Sequence, residues 1–406
     1  MTALTPPVHT PSLQGERSSN RRVAIFGSTG SVGQTALGAI SQLQRLEVHG
    51  LFAHSSVDTF VEQVLTWQPA FAGLSDRAAN ALAREKLGSQ FRGEWLSSEE
   101  EMVDYAAKGD YHTQLAAVVG IEGFQTSYPA FAHGKTVALA NKESLVVGGQ
   151  FFAELPQDKR GVIIPVDSEH SSLFRLLHLL SPSSVRKLGL TASGGPFRGR
   201  TKEELSAVTR EEALDHPTWK MGPRITLDSA TLMNKAFELI EATWLFGYQS
   251  KDILVRIHPQ SVVHAFVECS DGTLLSHMSP PNMLHPVVYA LEYPTPPPKL
   301  EDSFQNGSIE FEICDEERYQ ALALARQVAD AGFGEALRFY TANEIAARRF
   351  LDSAIPFNKI VEFVDYALQI GKFSEACLPA QLLGTIEEER RQIGEVFSTF
   401  VGKKLQ

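Results

Sequence analysis

Apolar and polar positions follow three successive patterns along the chain. From residue 21 to about 165, short apolar runs alternate with stretches whose apolar residues return every three or four positions. The runs at 22–26, 47–53, 70–74, 115–119 and 136–140 have strand length and little internal polarity, as strands covered on both faces do. Between them 34–43, 57–68 and 77–87 carry helical periodicity. Strand–helix alternation predicts a parallel sheet with helices on both sides. The second pattern begins with a strand at 162–166 and a helix at 172–180. A strand at 187–191, a capped helix at 201–209, an extended piece at 224–228 and a long helix at 229–246 follow. Strands at 253–257, 261–268 and 273–277 then add a sheet with antiparallel pairing. Ser270-Asp271-Gly272 is its hairpin turn, and its edge is open to a second subunit. In the third pattern, four prolines within 293–300 make a stiff extended linker. Beyond it, helices near 316–331, 335–352, 357–370 and 386–400 form a structural cap. No internal repeat is present.

The predicted architecture is α/β: an N-terminal Rossmann-like parallel-sheet domain (21–165), a central α+β catalytic and dimerisation domain (166–291), a Pro-rich linker (292–314) and a C-terminal α-helical bundle of four helices (315–406). A chain of 406 residues is long enough for several cores. The formal net charge of -11 argues against a nucleic-acid surface but leaves room for a small anionic ligand. Cys269, Cys314 and Cys377 are scattered, and read as free thiols of a reducing compartment. No apolar run reaches membrane-spanning length. Residues 1–20, rich in Pro, Ser and Thr, read as a disordered tail rather than a secretory signal, so the expected location is cytoplasmic.

Several stretches carry chemistry. GSTGSVG at 27–33 stands between a strand and a helix, the context of a dinucleotide-binding turn. The second strand ends in Ala53-His54-Ser55-Ser56. An acid there would hold a ribose 2′-hydroxyl; its absence favours NADP, although no Arg or Lys clamps a 2′-phosphate. Asn141-Lys142-Glu143 follows the strand at 136–140, either as ligand contacts or as an exposed helix start. In PVDSEH (165–170), Asp167 and Glu169 share one side if the strand continues. They then either bind a hard divalent cation or form a solvated turn. Ser193-Gly194-Gly195 is an anion-sized concavity or a plain turn. The segment 215–222, with a Trp and a Met between Pro217 and Gly222, is a buried loop or a lid. Asn234, Glu238 and Glu241 form a polar stripe on an otherwise apolar helix, which suits a lined cavity better than a surface ion pair.

Taken together, GSTGSVG (27–33), LANKESLV (139–146), PVDSEHS (165–171), TASGGPFR (191–198), HPTWKMG (216–222), DSATLMNK (228–235), HPQSVVH (258–264) and ANEIA (342–346) resemble the 1-deoxy-D-xylulose 5-phosphate reductoisomerase family over nearly everything after residue 20. The resemblance implies a homodimer that uses NADPH and Mg²⁺, Mn²⁺ or Co²⁺. It would rearrange and reduce a small phosphorylated sugar, 1-deoxy-D-xylulose 5-phosphate, to 2-C-methyl-D-erythritol 4-phosphate. It implies Asp167, Glu169 and Glu238 as metal ligands, with Lys142, Glu169 and Glu238 catalytic. Ser168, Ser193, His216, Ser229, Asn234 and Lys235 would join Lys142, Glu169 and Glu238 on the substrate. Thr29, Gly30, Ser31, Val32, Asn141, Glu143 and Gly222 would contact the cofactor, and Trp219 and Met221 would belong to a lid.

Three departures from the family pattern stand out. His54-Ser55-Ser56 replaces the usual 2′-phosphate segment, which would weaken cofactor selectivity or make it pH-sensitive. Ala236 stands at a usual glycine, a harmless or slightly stabilising change within a helix. Pro281-Asn282-Met283-Leu284 replaces a PDMR-like segment, altering packing or subunit contacts. Among other readings, a semialdehyde dehydrogenase needs a nucleophilic Cys beside a His, a setting none of the three cysteines has. A nucleotide-sensing homologue without catalysis would not need Lys142, Asp167, Glu169, Lys235 and Glu238 together.

Overall fold

The computed structural model describes Leu4 and residues 21–43, 45–216, 218–219, 222–300, 307–371, 373–375 and 377–404. The expected tail, 1–20, therefore lies outside the described residues except for Leu4. That side chain is buried rather than loose, and its amide donates to the Leu245 carbonyl at 3.1 Å.

The N-terminal region is a seven-stranded parallel sheet of β1 (Arg21–Phe26), β2 (Leu46–Ala53), β3 (Phe71–Leu74), β4 (Glu94–Trp95), β5 (Thr113–Ala116), β6 (Thr136–Leu139) and β7 (Val162–Pro165), in the order β4-β3-β2-β1-β5-β6-β7. Its strands are apolar because helices cover both faces: α1 (Ser31–Ile40), α2 (Val57–Trp67), α3 (Arg77–Leu87), α4 (Glu99–Lys108), α5 (Phe124–Ala132) and α6 (Glu143–Glu154). Asp76 caps α3 by accepting the Ala79 amide, which explains why that helix begins where its periodicity does. The order reverses direction between β1 and β5, so a crevice opens at their C-terminal ends.

The central region adds α7 (Ser168–His178), β8 (Val185–Ala192), α8 (Lys202–Ser206), α9 (Arg210–Ala213), α10 (Pro223–Ala230), α11 (Met233–Phe246), β9 (Ile253–Ile257), β10 (Val263–Cys269), β11 (Leu274–Met278) and α12 (Leu284–Glu292). A two-residue strand, β12 (Glu312–Ile313), completes a mixed sheet in the order β11-β10-β8-β9-β12. The chain ends in α13 (Gln320–Asp330), α14 (Phe333–Leu351), α15 (Lys359–Leu368) and α16 (Leu382–Lys404). α14 leans on α11 through Phe339 and Tyr340, whose rings lie 5.6 and 6.2 Å from that of Phe237.

Several expectations are corrected. The strand at 162–166 stops at Pro165, and Asp167 caps α7, so the helix expected from 172 starts at Ser168. The stretch 224–228, read as extended from Arg-Ile-Thr-Leu, lies inside α10. Gly222 is its N-cap, and Pro223 occupies the first turn, where a missing N–H is harmless. The long helix at 229–246 is two helices, parted at Leu232, whose φ of +59° is left-handed. That conformation costs about 1–2 kcal/mol in an L-residue, which full burial of the leucine holds in place. The capped helix at 201–209 shortens to α8, with Thr201 and Glu204 in a reciprocal capping box. Finally, 292–314 is not extended linker throughout: residues 312–313 pair antiparallel with β9.

Candidate active site

The C-terminal ends of β1, β5, β6 and β7 stand side by side, and each delivers part of one cleft. With about 4.8 Å between strands, the row spans on the order of 15 Å. At β1, Gly27 has φ +93°, and a Cβ there would fall 2.3 Å from the Ala117 carbonyl oxygen at the end of β5. A Cβ on Gly33 would meet the Gly27 oxygen at 2.3 Å, so turn and helix pack backbone to backbone. α1 begins after Gly30 with neither a side-chain cap nor an acid in its first turn. Thr29, Gly30, Ser31 and Val32 thus surround a bare helix N-terminus, suited to a pyrophosphate. At the neighbouring β2 end, His54 is tied to Ser75 by a 2.8 Å contact between Nδ1 and Oγ.

β6 leads into Asn141, Lys142 and Glu143. The Asn141 amide nitrogen donates to the carbonyls of Val118 (2.7 Å) and Gly120 (2.6 Å) and to Glu143 (3.1 Å). Its oxygen accepts from the Ser144 amide (3.0 Å) and hydroxyl. This side chain is fully used in pinning β5 to the start of α6, leaving only its backbone for a ligand. Burial raises the Glu143 pKa.

Lys142 turns toward the β7 side. Its Nζ lies 2.7 Å from Asp167 Oδ2 and 3.1 Å from Glu238 Oε1, and it donates to Asn234 Oδ1 at 2.8 Å. Lys235 makes the second bridge, 2.6 Å from Glu169 Oε1 and in contact with Glu238 Oε2. One carboxylate oxygen from each of Asp167, Glu169 and Glu238 falls within 4.8 Å of the others. Asp167 and Glu169 converge as N-cap and second residue of α7, not by strand alternation as the sequence pattern implied. Glu238 comes from α11, and the polar stripe on that helix faces this cleft. Ser168 donates to Glu169 from the rim.

The balance of charge decides how these groups titrate. Burial alone would raise Asp167, but Lys142, His170 and Lys235 hold it well below the usual carboxylate range. Burial and the charge of Asp167 push Glu238 up, against the pull of both lysines. Burial opposes the Lys142 charge, yet Asp167, Glu238 and Glu241 raise it well above normal. Lys235 is raised against the same penalty by Glu169 and Glu238. Three carboxylates and two ammonium groups are thus locked together away from water.

Two residues behind Asp167 have no role that sequence alone assigns. His170, fully buried, has Nε2 2.9 Å from the Glu238 carbonyl, and Nδ1 3.3 Å from Asp167 and 3.5 Å from Glu241. Burial works against its charge, but Glu241 and Asp167 lift its pKa to about 9. Burial pushes Glu241 up to about 7, with His170 opposing. The signal for Glu241 is its place three residues beyond Glu238 on the polar stripe. His170 has only its adjacency to DSE.

A second pocket adjoins the first. His216 Nδ1 accepts the amides of Thr218 (3.1 Å) and Trp219 (2.9 Å), so its proton resides on Nε2. That nitrogen is 3.2 Å from the Ser193 hydroxyl and 3.1 Å from the Ser229 hydroxyl. Burial lowers the His216 pKa, which keeps the ring a neutral donor. Gly194 and Gly195 adopt φ of +87° and +68° and let this turn approach α10, since a Cβ on Gly195 would lie 3.0 Å from the Ser229 carbonyl oxygen. Asn234 and Lys235 sit in the first turn of α11, where Asn234 meets Lys142 and Glu238 and Lys235 meets Glu169 and Glu238. The Trp219 ring rests 6.3 Å from that of His264, and Gly222 lies exposed at the head of α10. Met221 lies outside the described residues. In the HPQSVVH stretch, His258 is structural: Nδ1 donates to the Glu310 carbonyl while Nε2 accepts the amides of Val262 and Val263.

The class defined by this fold and cleft is an α/β protein with a Rossmann-like parallel sheet and an acidic, lysine-bridged cleft at its strand ends. Comparison with known proteins gives the family. Family profiles described as 1-deoxy-D-xylulose 5-phosphate reductoisomerase match residues 23–149 and, for its C-terminal domain, 163–246; a DXP reductoisomerase C-terminal domain profile matches 278–396. The 1-deoxy-D-xylulose 5-phosphate reductoisomerase of Symbiobacterium thermophilum is 42% identical over 349 residues, covering 84% of this chain and 90% of the relative. That of Nitratidesulfovibrio vulgaris strain DP4 is 39% identical and covers 89% of each. A DOX-P reductoisomerase solved with NADPH, fosmidomycin and magnesium superposes with a TM-score of 0.87 at 31% identity, covering 94% of this chain and 99% of that one. The Zymomonas mobilis enzyme solved with NADPH gives 0.86 at 32% identity, covering 93% and 99%. The chain belongs to the 1-deoxy-D-xylulose 5-phosphate reductoisomerase family.

Proposed function

We propose that the cleft residues divide the family reaction among them as follows. The enzyme rearranges 1-deoxy-D-xylulose 5-phosphate and reduces the product with NADPH to 2-C-methyl-D-erythritol 4-phosphate, with a divalent metal. The observation that carries the assignment is the convergence of Asp167, Glu169 and Glu238, bridged by two lysines, on the sheet edge that also bears the glycine turn. All-oxygen, trianionic donors fit a hard cation such as Mg²⁺, Mn²⁺ or Co²⁺. When bound, the cation acts as a Lewis acid on the substrate carbonyl, and NADPH supplies hydride.

The chain's own groups do the rest. Lys142, charged and fixed by Asp167, Glu238 and Asn234, orients the substrate oxygens. Glu169 moves a proton, and Ser168 beside it contacts the substrate. The phosphate fits against Ser193, the Nε2–H of His216, Ser229, Asn234 and Lys235, where hydroxyls, a neutral imidazole and one ammonium converge at the α11 N-terminus. Thr29, Gly30, Ser31, Val32, Glu143, Gly222 and the Asn141 backbone would contact NADPH, with Trp219 and Met221 closing over the site.

The assembly is a homodimer in this reading. Edge strand β11 exposes Leu274, Leu275 and Met278, and at the opposite edge Ile313 is 81% exposed, surfaces that a second copy would cover. The reading places the enzyme in a reducing compartment, the cytoplasm, because its three cysteines are free thiols. The test is NADPH oxidation with 1-deoxy-D-xylulose 5-phosphate, which should stop in excess chelator and return with Mg²⁺, Mn²⁺ or Co²⁺. Full turnover in chelator would overturn the metal assignment. Sedimentation should give twice the chain mass; a monomer would refute the dimer.

A further inference from the structure

The ANEIA stretch of α14 has no part in the chemistry above, yet its side chains run into α10. Asn343 is fully buried, and its Nδ2 donates to Asp228 Oδ1 at 2.9 Å. The other oxygen of Asp228 accepts from Arg224 Nε at 2.9 Å. Arg224 also reaches the Glu344 carbonyl at 3.4 Å, while Arg390 grips the Glu344 carboxylate with two 2.7 Å bonds. The same Arg390 lies 3.2 Å from Glu122, in the turn that follows β5.

A carboxylate paired with arginine only accepts hydrogen bonds, so the Asn343 amide must present its nitrogen to Asp228. That leaves Asn343 Oδ1 buried with no partner among the described residues. An orphaned acceptor is costly, and stability alone would favour an apolar side chain here. What the asparagine gains is a fixed α10. This helix starts at the end of the Trp219 loop and carries Ser229, whose hydroxyl meets His216 Nε2. Beside it lies a cavity of about 800 Å³ lined by Arg224, Glu344, Arg348 and Arg390, so polar contacts rather than packed core set its position on that side.

We propose that Asn343, through Asp228, is a positioning residue for the phosphate end of the substrate pocket, so that the C-terminal helices hold Ser229 in register with Ser193 and His216. This rests on the assignment of Ser229 to the substrate phosphate. The test uses the full-length enzyme with its metal and NADPH. Asn343→Ala should raise KM for 1-deoxy-D-xylulose 5-phosphate, and the inhibition constant of inorganic phosphate, by about tenfold, the scale of one hydrogen bond to a charged group. kcat should stay within about threefold and NADPH affinity within about twofold. Asn343→Asp sets two carboxylates against each other and should be worse. Adding Asp228→Asn to it restores a donor–acceptor pair, with the new amide oxygen still able to accept from Arg224, and should recover most of the loss. A folded Asn343→Ala enzyme with unchanged KM and phosphate inhibition overturns the proposal, as does a double variant no better than Asn343→Asp. Ser229→Ala separates the two readings. If it leaves phosphate inhibition unchanged, the phosphate assignment falls and takes the proposal with it. If it weakens inhibition where Asn343→Ala does not, only the positioning role falls.

Discussion

The glycine turn at β1 and the carboxylate cleft at β7 lie on one sheet edge but are built in opposite ways. The turn is seven consecutive residues, 27–33, without a charged side chain; it presents the uncapped backbone of the α1 start, and its requirement is the absence of Cβ atoms at Gly27 and Gly33. The cleft takes Lys142, Asp167, Glu169, Lys235 and Glu238 from three separate elements, and its requirement is a balance of charge among buried groups. On the proposed assignment, the site for the anionic cofactor is local and neutral, whereas the site for the cation is assembled from afar with lysines already set against its carboxylates. Damage to one should leave the other standing.

The hardest test of that separation is Glu238→Gln. It removes the carboxylate that both lysines share and leaves two carboxylates against two ammonium groups, without the net negative charge that would attract a cation. Metal affinity and turnover should each fall by more than about 100-fold, beyond the 10–100-fold typical of residues that merely support a metal ligand. NADPH affinity, followed by its fluorescence, should change by less than about twofold, because the hydrogen bonds and ion pairs of Glu238 run to Lys142, His170, Asn234 and Lys235 and not to the turn. Parallel loss of cofactor and metal binding would mean that the cleft props up the sheet edge as a whole.

Gly33→Ala is the reciprocal experiment. Its methyl would lie 2.3 Å from the Gly27 oxygen and 2.6 Å from Ser28 Cα, so the backbone must move where the pyrophosphate would sit. NADPH binding should weaken by at least about tenfold, which corresponds to about 1.4 kcal/mol. The metal dissociation constant from calorimetric titration should hold steady. A variant that keeps its NADPH affinity would show that α1 does not carry the cofactor.

The same contrast governs what is legible in the sequence. The turn can be read there because its glycines, strand and helix are contiguous, and α3 matches because Asp76 and its periodicity are local signals. α10 reads as extended because Ile225 and Thr226 are β-branched, and that weak preference outweighs the Gly222-Pro223 start signal. No propensity marks Leu232 as left-handed; buried packing forces it. Lys142 and Glu238 meet from 96 residues apart, and their convergence leaves no periodic trace. It comes from resemblance, not from pattern. Glu241 shows in the sequence only as a member of the polar stripe, and His170 only as a neighbour of Asp167 and Glu169; neither signal says that the two side chains meet behind Asp167.

The smallest predicted effect asks whether local backbone propensity can be changed inside the cleft's own helix without touching its chemistry. Ala236, fully buried in α11, follows Lys235 and precedes Glu238 by two residues. Replacing it with glycine returns the residue usual in the family pattern and should cost about 1 kcal/mol of helix propensity. In a chain of this size that lowers Tm by about 2 °C or less. Asn234, Lys235 and Glu238 keep their contacts, since a helical residue at 236 points to a different face from 234 and 238. kcat/KM should accordingly stay within about twofold. If Ala236→Gly instead cut turnover severely while Tm held, the charge balance would depend on the stiffness of α11 itself. The cleft would then be as sensitive to backbone as the turn is, and the contrast between the two sites would be one of distance along the chain rather than of physical kind.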